Sequence, residues 1–208
     1  SDNYFSFGYT NDDGYVVGSS FERYTARVRS DFQAKKWLKV GANAAYTRTA
    51  QEGVNTDASS SANIFLLTNM IAPIYPLYVR DEEGNIMHDD YGNTLYDYGN
   101  YDMGNYYKGP ANFPIIGGSR PFMGQSNPIS DNILNENSSV GNALNATGYV
   151  KVDFLKDFSF TFNASTDVAD SRSTDYTNPY FGQYAGSNGM LTKTHTRSVS
   201  VNLQQLLN

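Results

Sequence analysis

The stretch that decides the fold is Tyr24–Tyr46, YTARVRSDFQAKKWLKVGANAAY. From Tyr24 every second residue is apolar or small: Tyr24, Ala26, Val28, Ser30, Phe32, Ala34. Thr25, Arg27, Arg29, Asp31 and Gln33 fill the places between. After Lys35-Lys36-Trp37 the alternation resumes, with Leu38, Val40, Ala42, Ala44 and Tyr46 on one side and Lys39, Gly41, Asn43 and Thr47 on the other. A period of two places successive side chains on opposite faces of a β-strand. The segment therefore reads as two strands around a tight turn, each with one apolar and one polar face. Both exceed the usual strand length of about five to six residues. They suit a membrane barrel, whose tilted strands need roughly 9–11 residues to cross.

Working outward, the same pattern recurs. Phe5, Phe7 and Tyr9 alternate with Tyr4, Ser6 and Gly8 in a first strand over about Asn3 to Thr10. Asn11-Asp12-Asp13-Gly14 carries turn chemistry, and this loop closes near Ser19-Ser20. A fourth strand over about Val140 to Phe154 sets Leu144, Ala146, Gly148, Val150, Val152 and Phe154 against Asn145, Thr147, Tyr149, Lys151 and Asp153. Leu155-Lys156-Asp157 turns it into a fifth, with Phe158, Phe160, Phe162 and Ala164 on the apolar side. A loop over Ala169 to Met190 leads to a sixth strand from about Thr192, carrying Val199, Val201 and Leu203. The connections alternate long, short, long, short, long, as a barrel with short turns at one membrane surface and long loops at the other requires. Tyr9, Tyr24 and Tyr46 fall at the outer strand ends, and Phe32, Trp37, Phe154 and Phe158 at the inner ends, as two aromatic girdles would.

The expected fold is thus all-β, an antiparallel transmembrane β-barrel segment of about six strands with long extracellular loops and one short loop helix. A single partial barrel domain fills residues 1–208, with its longest loop at about 50–137. Within that loop, Ser59-Ser60-Ser61 can cap a helix over Asn63–Ala72 that Pro73 stops. Four acidic-x-Gly-Asn units follow: Glu82-Glu83-Gly84-Asn85, Asp90-Tyr91-Gly92-Asn93, Asp97-Tyr98-Gly99-Asn100 and Asp102-Met103-Gly104-Asn105. Each reads as a turn. A Gly/Pro/Ser-rich tract extends from Lys108 to Pro128.

Composition narrows the function. Charged residues are 17% and aromatics 14%, with 17 Tyr and 12 Phe. The net charge of −6 argues against nucleic acid, which needs clustered Lys and Arg. Without cysteine there are no disulfides or thiolate metal sites. No run approaches the ~20 apolar residues of a membrane helix. The chain starts within three residues of a strand, ends on one and shows no signal peptide at Ser1, so a piece of a longer protein is expected.

Several segments in combination resemble SusC/RagA-type TonB-dependent transporters. Tyr4-Phe5-Ser6-Phe7-Gly8-Tyr9-Thr10-Asn11 with Gly14 is similar to their YYxSLGYxNQEG segment, and Phe21-Glu22-Arg23-Tyr24-Thr25-Ala26-Arg27 to FERYSAR. Lys36-Trp37-Leu38-Lys39-Val40-Gly41 resembles KWLKVG, and Pro73-Ile74-Tyr75-Pro76-Leu77-Tyr78 resembles PIYPVY. Asn127-Pro128-Ile129 and Gly141-Asn142 through Leu155-Lys156 also fit. The resemblance implies six strands from the earlier part of a 22-stranded barrel in the Gram-negative outer membrane, set in its lipid. It further implies a plug outside this chain, energy from TonB, a SusD-type lipoprotein lid, and import of oligosaccharides or, in some members, peptides. The acidic-Gly-Asn repeat has no counterpart in that pattern.

Candidate ligand contacts are Tyr91, Tyr96, Tyr98, Tyr101, Tyr106 and Tyr107 in the long loop, whose rings can stack on sugars. Loop self-packing or contact with a lid explains the same residues, and is favoured over direct ligand contact. Arg23, Arg27 and Arg29 alternate on the polar face of the second strand and are expected to face the lumen, pairing with a plug or with Asp31. Asp81, Glu82, Glu83, Asp89 and Asp90 have calcium-binding chemistry but miss the twelve-residue loop pattern, so solvated turn tips are the preferred reading. His88 and His195 stand apart as surface residues, and no metal or cofactor is expected. No Gly-x-Ser-x-Gly elbow or paired-carboxylate arrangement points to an enzyme. The leading reading is a transporter segment. The alternatives are a secreted Tyr-rich β-sandwich that binds carbohydrate and an outer-membrane protease or lipase. Alone in water, the sheet would leave two open edges and is expected to aggregate or stay unfolded.

Overall fold

The computed structural model describes residues 1–54, 63–70, 76–80, 83–96, 128–179 and 188–208. Six strands form one antiparallel sheet in chain order: β1 (Asp2–Asp13), β2 (Ser20–Lys35), β3 (Leu38–Glu52), β4 (Glu136–Phe154), β5 (Phe158–Thr177) and β6 (Met190–Leu207). Two short helices lie between β3 and β4, α1 (Ile64–Met70) and α2 (Pro128–Leu134). The described residues contain no helix long and apolar enough to cross a membrane, which leaves strand crossings open.

The register aligns the apolar residues of all six strands on one face. Phe5 pairs with Val28, Val28 with Ala44, Ala44 with Ala146, Ala146 with Thr166 and Thr166 with Val201. Two rows along the same face, Phe32, Val40, Val150 and Phe162 line up. A slip of one residue at any seam would move a whole apolar set to the wrong face, so the pattern itself pins the register. No second sheet covers this face among the described residues. Val28 is 51% exposed, Val201 65% and Phe7 64%. The one buried hydrophobic residue among those described is Ile64, in α1 rather than in the sheet. Among the described residues this is a sheet without a core of its own, which a water-soluble sandwich would not tolerate.

The strands are longer than the sequence pattern indicates, all at the loop end. β1 does not turn at Asn11-Asp12-Asp13-Gly14. It continues to Asp13 opposite Ser20, and the connection is residues 14–19, with Gly18 in the left-handed region at φ 83°. β4 begins at Glu136 instead of Val140, and β5 runs on to Thr177 through residues read as loop. Polar residues hid these extensions, because beyond the apolar band both faces of a strand can be wet. Lys36 and Trp37 alone separate β2 from β3, and residues 155–157 separate β4 from β5. Leu155 and Lys156 take positive φ of 50° and 60° in that turn. Both short turns lie at one end and the three longer connections at the other, as the alternation requires.

Aromatic residues gather at both ends of the apolar band. Tyr9 and Tyr24 pack with ring centroids 4.8 Å apart, and both hydroxyls donate to Glu22 Oε1, at 3.1 and 2.7 Å. Tyr46 donates to Asn142 Oδ1 at 2.8 Å. Each ring borders the apolar band while its hydroxyl bonds to a partner nearer the loop end. At the opposite end Phe154 and Phe158 stack at 5.9 Å, and Lys35 Nζ lies 5.4 Å over the Trp37 ring.

In the long connection, α1 starts at Ile64 and is capped by Asn63. The Asn63 Oδ1 accepts the backbone N–H of Phe65 at 2.9 Å and of Leu66 at 3.0 Å. Ser59, Ser60, Ser61, Ala72 and Pro73 lie outside the described residues. Helix α2 has no counterpart in the sequence reading. It sits at the loop end of the sheet beside Gly18, whose α-carbon leaves no free room for a side chain because a Cβ would lie 3.2 Å from the Asn132 carbonyl. At the end of α2, Asn135 Oδ1 accepts both the backbone N–H and the side-chain amide of Asn178, at 2.9 and 2.7 Å.

Candidate functional site

The polar face of the sheet carries a built arrangement at its short-turn end. Gly41 on β3 pairs with Asp31 on β2 and with Tyr149 on β4, so one rung brings the three residues together. The Tyr149 ring lies over Gly41, where an added Cβ would come within 2.3 Å of its Cε1. This close approach is what the glycine permits. The hydroxyl of Tyr149 then reaches across β3 and donates to Asp31 Oδ1 at 2.7 Å. The other carboxylate oxygen of Asp31 accepts from Arg29 Nε at 2.7 Å. Lys39 Nζ lies 5.9 Å from the ring centroid of Tyr149. Asp31 is buried at 9% exposure, while the Arg29 side chain stays 61% exposed. The buried carboxylate is satisfied on both oxygens, as a buried charge must be.

Arg29, Asp31, Gly41 and Tyr149 line a groove of about 750 Å3 with Asp2, Asn3, Tyr4, Arg27, Asn43 and Thr147. Arg27 and Arg29 belong to it. Arg23 shares their face but pairs with Thr10 and Thr49, further toward the loop end. The predicted arginine triad is therefore one exposed residue at the loop end and two in a groove. Tyr149, Gly41 and Asp31 complete the groove. Strand alternation put Tyr149 and Gly41 on the polar face, but cross-strand register alone makes them neighbours. Further along this face Asn145 donates to Asp167, and Asn163 donates to Gln204 at 3.2 Å. The face offers carbonyl, amide and guanidinium groups at successive rungs, chemistry suited to polar cargo or to another polar protein surface.

The loop tyrosines are distributed differently. Residues 78–80 and 83–96 form a small meander through bridges Tyr78–Tyr96, Arg80–Ile86 and His88–Thr94. Two of the acidic-x-Gly-Asn units turn it, with Gly84 at φ 88° and Gly92 at φ 84°. Tyr96 packs on Tyr78 at 5.3 Å between centroids, at the base. Tyr91 sits at a tip and is 91% exposed. The two therefore do not form one aromatic surface. Tyr98, Tyr101, Tyr106 and Tyr107 lie outside the described residues, as do Asp81, Glu82 and the last two acidic-x-Gly-Asn units.

Asp89 ties the second turn. Its Oδ1 accepts the backbone N–H of Tyr91 at 2.9 Å and of Asn93 at 2.8 Å, and its Oδ2 accepts the Asn93 amide at 2.9 Å. The Asn93 side-chain bond, aided by these backbone donors, holds the Asp89 carboxyl below the usual range. Its oxygens thus serve the turn. No group of three metal-ligating side chains gathers among the described residues. His88 bridges by backbone to Thr94, and His195 Nε2 contacts Asp170 Oδ2 at 2.6 Å, so His195 is not the isolated residue its sequence position indicates.

Comparison with protein-family models and with curated proteins finds no match. Among solved structures, the chain is similar to a chain of the RagAB peptide transporter, with a TM-score of 0.60 and 18% identity. In the open-open state of the RagAB peptide importer the TM-score is 0.64 at 19% identity. Each match covers 99% of this chain and 20% of the other, so this chain spans about one fifth of the transporter chain's length. At such identity the likeness establishes the fold, a sheet of the kind found in a transporter barrel.

Proposed function

We propose that this chain is part of the barrel wall of an outer-membrane, TonB-dependent importer that works with a SusD-type lipoprotein partner. The observation that carries the reading is the sheet's uncovered apolar face, bounded at both ends by aromatic residues and registered across six strands. Hydrocarbon is the solvent that such a face fits. The fold likeness to a transporter barrel and the SusC/RagA-like segments support the same assignment.

In this reading the polar face lines the lumen. Arg27 and Arg29 face the plug, with Asp31 and Tyr149 holding the Arg29 guanidinium in place. The loop-end elements, including the meander and α2, lie outside the cell beneath the lipoprotein lid. The cargo is an oligosaccharide or a peptide, captured by the loops and released inward when the plug moves. The RagAB comparison adds weight to peptides. The loop tyrosines pack within the loop, as Tyr96 does on Tyr78, or against the lid, with Tyr91 at the exposed tip the better placed for contact with cargo.

Fractionation of the full-length protein tests the reading. Recovery with outer membranes, resistant to salt and carbonate washing, is the expected result. Recovery as a soluble secreted species without detergent would reject it in favour of the carbohydrate-binding sandwich. Cargo is then decided by uptake of labelled oligosaccharides against labelled peptides in cells with and without the full-length protein.

A further inference from the structure

Immediately beyond the apolar band, on that same outward face, the register gathers cations. The last apolar row runs Tyr46, Leu144, Val168, Val199. The next row toward the loops runs Tyr24, Arg48, Asn142, Asp170, Arg197. The one after it carries Arg172 opposite His195, and the third carries Thr174 opposite Lys193. Rows on one face are spaced by two residues, about 7 Å, and strands by about 4.8 Å. Arg172, Lys193 and Arg197 therefore fall within one patch on β5 and β6, and Arg48 lies about 14 Å along the rim from Arg197.

One carboxylate organises this patch. Asp170 contacts His195 Nε2 at 2.6 Å and Arg172 Nε at 3.5 Å. Its own side chain is 22% exposed, whereas Arg172 is 71% and His195 53% exposed. Among the described residues, Arg48, Lys193 and Arg197 form no ion pair. The other carboxylates on this side stand apart. Asp13 and Glu22 are on β1 and β2, with Glu22 already holding Tyr9 and Tyr24, and Glu52 and Glu136 are at outer ends of β3 and β4.

We propose that this patch is a binding site for the phosphate groups of an anionic lipid in the outer leaflet. The inference rests on the membrane-wall reading above. An apolar surface that takes acyl chains lies directly beneath guanidinium groups that take phosphate, so one amphiphile satisfies both. Arginine suits the task because its planar fork binds phosphate through paired charge-assisted hydrogen bonds. Asp170 is a positioning residue, holding the Arg172 side chain at the rim. The occupant is a phosphorylated, multiply acylated lipid rather than free phosphate, because the cations adjoin the apolar surface instead of enclosing a pocket.

The test uses the full-length protein in phospholipid nanodiscs, with bound lipid read by native mass spectrometry. Bisphosphorylated lipid A should bind, and its dephosphorylated form should bind at least tenfold less tightly. The double variant R172Q/R197Q should lose roughly 30-fold in affinity for the bisphosphorylated form, from about 1 kcal/mol per cation at a charged membrane surface. The variant K36Q, at the opposite membrane surface, should match the parent. Equal binding of the two lipid forms overturns the proposal, as does binding of inorganic phosphate with lipid A phosphates making no difference. Should R172Q/R197Q fail to fold, the comparison of the two lipids on unaltered protein still decides. A full-length protein that needs no detergent would instead sink the membrane reading itself. An integral protein without phosphate preference sinks this site alone.

Discussion

The two faces of these six strands obey opposite rules although they share one backbone. On the apolar face, side chains of adjoining strands meet as rows without specific bonds: Val40 beside Val150, Ala44 beside Ala146. On the polar face, contact is specific and directional. Tyr149 folds over Gly41 to reach Asp31, and Asp31 holds Arg29. If the apolar face meets lipid, as proposed, it tolerates exchange of one apolar residue for another, because a fluid solvent is its partner. The second depends on individual atoms. Among the described residues neither face of the sheet carries a buried apolar residue, and the two faces differ in polarity.

The sharpest way to break this contrast is to reverse the polarity at adjacent positions. Ala146 and Thr147 are consecutive and face opposite sides. Ala146→Arg should destabilise the full-length protein in bilayers by about 2–4 kcal/mol, the cost of a cation near the membrane midplane. Thr147→Arg should change stability by less than about 1 kcal/mol, as an exposed polar substitution does. Urea unfolding in lipid vesicles measures both, and equal effects would show that the apolar face does not meet hydrocarbon.

The next test strains the polar face. In Gly41→Ala the new Cβ would lie 2.3 Å from the Tyr149 ring and 2.5 Å from Asp31 Oδ1, so the network must open. A loss of about 1–3 kcal/mol is expected from such overpacking. Ala42→Gly, one residue along on the apolar face, should cost no more than about 1 kcal/mol. Tyr149→Phe probes the same network more gently. Removing the hydroxyl deprives Asp31 of a donor and should cost about 1–2 kcal/mol in unfolding free energy. Combined with Asp31→Asn the losses should be less than additive, with a coupling of at least about 0.5 kcal/mol. Strict additivity would disprove the hydrogen bond.

The smallest effect concerns the loop. The folded Asp89 carboxyl titrates below its ordinary value because turn donors favour its charged form. Its contribution is therefore present above the unfolded pKa, about 3.9, and is lost as pH falls through the lower folded value. Amide exchange at Tyr91 and Asn93 should accelerate over that acid window while the sheet amides remain protected. Unchanged exchange at those amides would count against the Asp89 turn.

Much of the architecture was legible in the chain. Alternation at Tyr24–Tyr46, Val140–Phe154 and Phe158–Ala164 located strands, and Lys36-Trp37 and Leu155–Asp157 located the short turns. The polar strand extensions Asn11–Asp13, Glu136–Ser139 and Ala169–Thr177 were not legible, since alternation vanishes where neither side is apolar. Helix α2 was missed because its seven residues span only about two turns, too short for a helical period to show. The turns at Gly84 and Gly92 were readable because glycine there relieves a left-handed backbone. The site was read only in part: Arg29 and Asp31 share a strand face, but Tyr149 is far from both in sequence.

What the amino-acid order determined by itself is the division of each strand into an apolar and a polar side, because side-chain direction follows from strand geometry within one segment. It also determined which connections are short. Only the tertiary structure decided which residues of different strands share a rung, and so placed Tyr149 over Gly41 and gathered Arg172, His195 and Arg197 beside Asp170. Those neighbours arise from hydrogen-bonded register between segments that are distant in the chain, a relation that no local pattern encodes.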